Sequence, residues 1–157
     1  MIVGVISDTH DNLLKLKKAV RLFNKKKVDY VLHLGDYVAP FACALLKNLT
    51  CPWQGVFGNN DGEKEGLLKV SEARITYPPL RINLGKRKIT LVHDINTIEI
   101  EKENSEIILF GHTHRVEVKK NEAHLFLNPG ECCGWLTKKA TVALLNLEDL
   151  TYKIFKI

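Results

Sequence analysis

The chain has 157 residues, 45% of them hydrophobic and 26% charged, with a formal net charge of +5. That is the length of one ordinary domain, residues 1–157, which can bury enough apolar surface to fold without disulfides. The composition excludes intrinsic disorder, collagen and coiled coil, and no apolar run approaches the roughly 20 residues of a membrane span.

Ile2 to Ile6 is a short apolar run rich in β-branched residues and reads as a buried strand. Leu13, Leu16, Val20 and Phe23 then recur at helical spacing, which predicts an amphipathic helix from Leu13 to about Lys26. Asp11 or Asn12 is placed to cap it, and Lys25, Lys26 and Lys27 suit the negative end of its dipole. A strand is expected at Tyr30 to Leu34, a helix from about Phe41 to Asn48, and a strand at Trp53 to Phe57. This β-α-β-α-β order implies parallel strands joined by right-handed crossovers. Glu63 to Ala73 reads as a further short helix, weakened by Gly66. Beyond Tyr77-Pro78-Pro79 the pattern changes. Leu80 to Leu84 and Lys88 to His93 flank Gly85-Lys86 as a hairpin. Strands are also expected at Ile107 to Phe110, Val116 to Lys119, His124 to Leu127, Ala140 to Leu147 and Tyr152 to Ile157, in a largely antiparallel second half. The fold class expected is α/β, with one parallel-leaning and one mixed sheet facing each other and helices outside.

The informative residues stand at the strand ends. Ser7-Asp8-Thr9-His10, Gly35-Asp36, Gly58-Asn59-Asn60-Asp61, His93-Asp94 and Gly111-His112-Thr113-His114 end successive strands. In open α/β sheets the ligand crevice lies at the carboxyl ends of the strands, so these loops are expected to converge. Each motif alone is equally a turn or a cap; only His112-x-His114, two residues apart on extended chain, places both rings on one side. Together they supply aspartate, asparagine and histidine donors without a thiolate. Such a set suits Mn, Fe, Zn, Co or Ni rather than a soft metal. Seven candidate ligands exceed one tetrahedral ion and suit two ions sharing a carboxylate, an arrangement that serves phosphoryl displacement.

The ordered series Asp8-x-His10, Gly35-Asp36, Gly58-Asn59-x-Asp61, His93 and Gly111-His112-x-His114 resembles the calcineurin-like metallophosphoesterase superfamily, along the whole chain. Gly58 to Glu63 and Asn128-Pro129-Gly130-Glu131-Cys132-Cys133-Gly134 look like its small archaeal and bacterial YfcE-like phosphodiesterase branch. The resemblance implies a four-layer α/β/β/α sandwich and a dinuclear centre. By it, Asp8, His10 and His114 bind one metal, Asn59, His93 and His112 bind the other, and Asp36 bridges. Asp36, His10 and Asn60 are then the candidate catalytic residues, and a hydroxide held between two divalent ions is the nucleophile. Mn or Ni is favoured, with Zn, Fe, Co and Mg as the other candidates. The chain departs from the family at two places. Asn60 stands where many members have histidine, and asparagine cannot act as a general acid. Asp94 comes after His93 where the family has Gly-His, which leads us to expect an open site or a weaker second metal.

The implied activity is a metal-dependent phosphodiesterase, acting on a small phosphodiester or nucleotide. The alternative is a catalytically weak protein-binding scaffold, for which the retromer subunit with this fold is the precedent. The charge of +5 leaves nucleic acid open as a partner; nothing points to a membrane, and a homo-oligomer is neither required nor excluded by the pattern. Cys43, Cys51, Cys132 and Cys133 show no C-x-x-C pair, and no basic segment precedes Ile2 to Ile6. Reduced thiols and a cytoplasmic location are therefore expected. His33 and His124 are read as structural, Cys132 and Cys133 as packing residues, and Trp53 and Trp135 as core or rim aromatics.

Overall fold

A computed structural model describes residues 1–157. In chain order the elements are β1 (Ile2–Ile6), α1 (Leu13–Lys26), β2 (Tyr30–His33), α2 (Pro40–Cys43), β3 (Trp53–Val56), α3 (Lys64–Val70) and β4 (Ile75–Thr76). Then come β5 (Leu80–Leu84), β6 (Arg87–Leu91), β7 (Ile107–Leu109), β8 (Val116–Lys120), β9 (Leu125–Pro129), β10 (Thr141–Asn146) and β11 (Tyr152–Lys156). The first sheet has the order β11-β10-β1-β2-β3-β4, and the second β5-β6-β7-β9-β8. β1 through β4 pair in parallel, as the βαβ reading requires.

Burial on both faces explains why the inner strands are continuously apolar. Val3 and Val5 of β1 meet Leu32, Leu34, Ile107 and Leu127 between the sheets. Ile6 points the other way and packs with Leu16, Val20 and Phe23 of α1. A side chain at Gly4 would come within 2.8 Å of the Phe23 ring, so α1 can lie flat on β1 only over glycine. The Asn12 side chain accepts from the Lys15 amide, and Lys27, at φ 52°, ends the helix.

The structure differs from the sequence reading at the two helices that follow α1. The helix expected at Phe41 to Asn48 is one α turn, α2, continued by a 3₁₀ turn at Ala44–Asn48. The helix expected at Glu63 to Ala73 is shorter, and Arg74 leads into β4, a strand absent from the sequence reading. The second sheet is mixed, as expected: β7 runs parallel to both β6 and β9, whereas β5-β6 and β8-β9 are antiparallel. β10 and β11 belong to the first sheet, where β10 lies antiparallel to β1. Thr141, Val142, Ala143 and Leu145 are buried, as the central position of β10 between β11 and β1 requires.

The layers are those expected, with one reduced. All three α-helices cover the first sheet. The outer face of the second sheet, at Val92, Ile108 and Phe110, is covered by Ile95, Ile98 and Ile100 from two 3₁₀ turns. The isoleucines spaced along the stretch after Asp94 thus close this layer. A groove of about 640 Å³ remains there, lined by Ile95, Phe110, Lys119 and Phe126 and by none of the candidate ligands. No helix is long and apolar enough to cross a membrane.

Candidate metal centre

The loops after β1, β2, β3, β6 and β7 meet at one end of the sandwich. Backbone pairing draws them together: the Asp8 amide donates to the Gly35 carbonyl at 3.1 Å, and the Gly111 amide to the His93 carbonyl at 2.9 Å. The approach is close enough to demand glycine at two points. A Cβ at Gly58 would lie 2.2 Å from Asp36 Oδ1, and one at Gly111 would lie 2.0 Å from Ser7 Oγ. The turns are also strained. Asp8, His10, Asp36, His112 and His114 all have positive φ, from 36° to 67°, which side-chain-bearing residues seldom adopt. Such strain concentrates where function fixes side-chain direction, and here it falls on five of the seven expected ligands.

Four of those ligands form one tight cluster. The ligating atoms of Asp8, His10, Asp36 and His114 lie within 4.8 Å of one another. Asp8 Oδ1 is 3.5 Å from His114 Nε2 and 3.8 Å from His10 Nε2. Asp36 Oδ2 lies 3.4 Å from His10 Nε2 and also 3.4 Å from His93 Nε2. His93 Nε2 and His112 Nδ1 each approach Asn59 Oδ1 at 2.9 Å. All seven residues thus stand in one chain of contacts that passes through Asp36.

Surrounding groups set the protonation of the ligands. His93 Nδ1 lies 2.7 Å from the Leu34 carbonyl, which can only accept, so Nδ1 carries the hydrogen and Nε2 is bare in the neutral ring. His114 Nδ1 likewise donates to Glu131 at 2.8 Å, which turns a bare Nε2 toward Asp8. Burial opposes ionisation of Asp36, but His93 in its protonated form and the two amide donors of Asn60 outweigh it and hold the carboxyl well below the usual range. Asp8 Oδ1 and His10 Nε2 are buried without any hydrogen-bond partner. Bare imidazole nitrogens and ionised carboxylates facing one another in a buried cleft are the donor set of a divalent cation, and the orphaned atoms are the ones it would satisfy.

Two supporting residues have no role in the sequence reading. Glu131 has no exposed surface and accepts hydrogen bonds from His114, Leu136, Cys133 and Thr137. Burial pushes its carboxyl up, yet these donors prevail and hold it at about 2. Its signal lies in the stretch Asn128 to Gly134, where an acid stands among buried apolar residues. Glu131, His114 and Cys133 also lie close enough to share an ion, but Glu131 is already fully bonded and burial pushes the Cys133 thiol up to about 12. Asp61 accepts from the amides of Asp36, Val38 and Gly58, tying the β2 and β3 loops together.

The remaining sequence candidates take varied positions. Asn60 does not stand free. Its side-chain amide donates to Asp36 Oδ2 at 2.7 Å and its backbone amide to Asp36 Oδ1 at 2.8 Å. Asp94 turns toward the side of His112 away from Asn59, with Oδ2 3.9 Å from Nε2. His33 is fully buried and receives the Gly35 amide on Nδ1, which leaves Nε2 to donate to Thr9 Oγ1. His124 packs on Phe126 and bonds the Ser105 carbonyl, away from the cluster. Trp53 is in the core, whereas Trp135 is half exposed at the rim and donates to the His10 carbonyl. The four cysteines are free thiols.

This fold, with its strand-end cluster, defines a metallophosphoesterase-type protein. Residues 1–150 match the family model described as the calcineurin-like phosphoesterase superfamily domain, and the chain belongs to that family. It is 33% identical over 161 residues to Phosphodiesterase MJ0936 of Methanocaldococcus jannaschii, covering 98% of this chain and 97% of the relative. A solved structure of a novel archaeal phosphodiesterase superposes with a TM-score of 0.91 at 32% identity, over the full length of both chains. The E. coli phosphoesterase YfcE shares the fold, with a TM-score of 0.77 at 19% identity, covering 100% of this chain and 98% of that one.

Proposed function

We propose that the protein is a metal-dependent phosphodiesterase with a two-ion centre. Asp8, His10 and His114 hold one divalent ion, Asn59, His93 and His112 the other, and Asp36 serves both. The observation that carries this reading is the position of Asp36 Oδ2, 3.4 Å from a histidine of each set. When bound, paired divalent ions acidify water near neutral pH and spread the charge of a phosphate group.

The chain's own residues do the rest. Glu131 keeps the His114 proton on Nδ1, and the Leu34 carbonyl does the same for His93, so both rings present lone pairs. Asn60 fixes the Asp36 carboxylate from two donors and offers no titratable proton. Leaving groups that depart without protonation therefore suit the site, which favours aryl diesters over alkyl esters. Mn²⁺ or Ni²⁺ is the preferred activator, with Zn²⁺, Fe²⁺, Co²⁺ and Mg²⁺ as weaker ones.

The test is hydrolysis of bis(4-nitrophenyl) phosphate and of 4-nitrophenyl phosphate by metal-stripped protein reloaded with each ion. The diester should be cleaved faster. Faster monoester cleavage with every ion would overturn the diesterase assignment. Stoichiometric metal binding with neither ester cleaved would favour a protein-binding scaffold built on the same fold.

A further inference from the structure

Beside the cluster runs a groove of about 450 Å³, the size of a small-ligand site. Asn59, His93 and His112 form one end of it, and Tyr77, Pro78 and Lys64 the other. It is therefore continuous with the candidate centre and not a separate surface feature.

The far end is unusual for a protein surface. Tyr77 is 64% exposed, although an aromatic ring of this size is normally better covered. It is held in place. Its ring is tilted against that of Phe57, with centroids 5.1 Å apart, and Phe57 is buried. Pro78 and Pro79 come next and fix the backbone beyond it. The Lys64 ammonium lies 5.1 Å from the Tyr77 centroid and 5.7 Å from that of Phe57, a cation–π arrangement. Lys64 makes no ion pair, as is true of most lysines in the chain; what sets it apart is its place over two rings in the groove. The one acid in the groove, Asp94, is engaged otherwise, since its Oδ1 accepts from the backbone and side-chain amides of Asn96. A fixed, exposed ring and an unpaired cation thus sit at one end of a groove whose other end is the reaction centre.

We propose that this groove binds the nucleoside arm of the phosphodiester substrate, with the base stacked on Tyr77 and a second phosphate of that arm met by Lys64. The inference rests on the phosphodiesterase reading above and names the substrate class for that same site. Every base has a flat π-face, so Tyr77 selects nucleosides over small or aliphatic arms without selecting among bases. Lys64 adds selection for an arm that carries its own phosphate. Neither residue touches the reacting phosphorus, so both act on specificity alone.

Three esters with the same 4-nitrophenolate leaving group separate these effects: the methyl 4-nitrophenyl phosphate, the thymidine 5′-ester, and the thymidine 5′-ester bearing a 3′-phosphate. With Mn²⁺-loaded protein, kcat/KM for the thymidine ester should exceed that for the methyl ester by about 10-fold. Tyr77→Ala should abolish that ratio while leaving the methyl ester rate unchanged, and Tyr77→Phe should retain it. The 3′-phosphate should add about 3-fold, lost in Lys64→Met. Equal values for the methyl and thymidine esters, or a preference that survives Tyr77→Ala, would overturn the proposal. A 3′-phosphate without effect would remove Lys64 from it. Failure to cleave any of the three esters with any ion would instead refute the phosphodiesterase reading itself.

Discussion

Replacing Glu131 with glutamine tests how the first ligand set is held. The carboxylate is wholly buried and accepts from His114 Nδ1 at 2.8 Å, the Leu136 amide at 3.2 Å and Cys133 Sγ at 3.1 Å through Oε2. Its Oε1 accepts from the Thr137 amide at 2.6 Å and hydroxyl at 2.7 Å. Glu131→Gln can keep the Thr137 contacts by leaving its oxygen there. Its NH₂ then faces donors, so the Leu136 amide loses its acceptor. His114 must also accept at Nδ1, which moves its proton to Nε2, the nitrogen aimed at Asp8. Loss of a partner to a ligating histidine typically costs 10- to 100-fold in metal affinity, or about 1.4–2.7 kcal/mol. The unsatisfied amide adds about 1–3 kcal/mol against the metal-free fold, or roughly 2–10 °C in Tm. Calorimetric titration of metal-free protein with Mn²⁺, together with thermal unfolding, reads both quantities. Thr137→Val is the control: it removes one donor to Oε1, leaves His114 untouched, and should hold Mn²⁺ affinity within about 3-fold. Wild-type Mn²⁺ affinity in folded Glu131→Gln would refute the argument that this carboxylate sets the His114 tautomer.

Neighbouring residues carry two further predictions. Asn60→His replaces a side chain that has no titratable proton with an imidazole, and should raise the ratio of alkyl to aryl diester cleavage by about 10²-fold; an unchanged ratio in folded, metal-loaded variant would exclude position 60 from leaving-group protonation. Burial lowers His33 to about 3, so between pH 6.5 and 3 the unfolded chain binds a proton that the folded chain does not. Stability should therefore fall on acidification through that window, with a His33 contribution of about 1.4 kcal/mol per pH unit. Urea unfolding of wild type and His33→Gln at pH 7 and pH 5 measures it, and parallel losses in the two proteins would contradict it.

The parallel half of the fold is readable because periodicity and strand-end chemistry agree there. Val3, Val5 and Ile6 announce a strand buried on both faces, and Leu13 to Phe23 a helix with one apolar stripe. What the pattern does not reveal is partnership. β10 is as apolar as β1, but nothing local says that it crosses back to lie beside β1 and not beside its sequence neighbour β9. β4 has two residues and no period to detect. The seven candidate ligands are legible as residue types at strand ends, and the structure brings all of them together. The roles of Glu131 and Asn60 are not legible in the same way. Each depends on a partner far along the chain, His114 for Glu131 and Asp36 for Asn60, and on the direction of one side chain. The isoleucines after Asp94 are hidden for a similar reason, because their spacing is too irregular for helix or strand and only the bare sheet face explains them.

The central claim is that Asp36 joins two sets of ligands into one two-ion centre. Metal analysis of Mn²⁺-reconstituted, gel-filtered protein tests it most directly, with wild type and Asp36→Ala compared at equal protein concentration. Two ions per chain in the wild type, and loss of nearly all bound metal in the variant, is the predicted result. One ion per chain in the wild type, or two ions retained in Asp36→Ala, would contradict it.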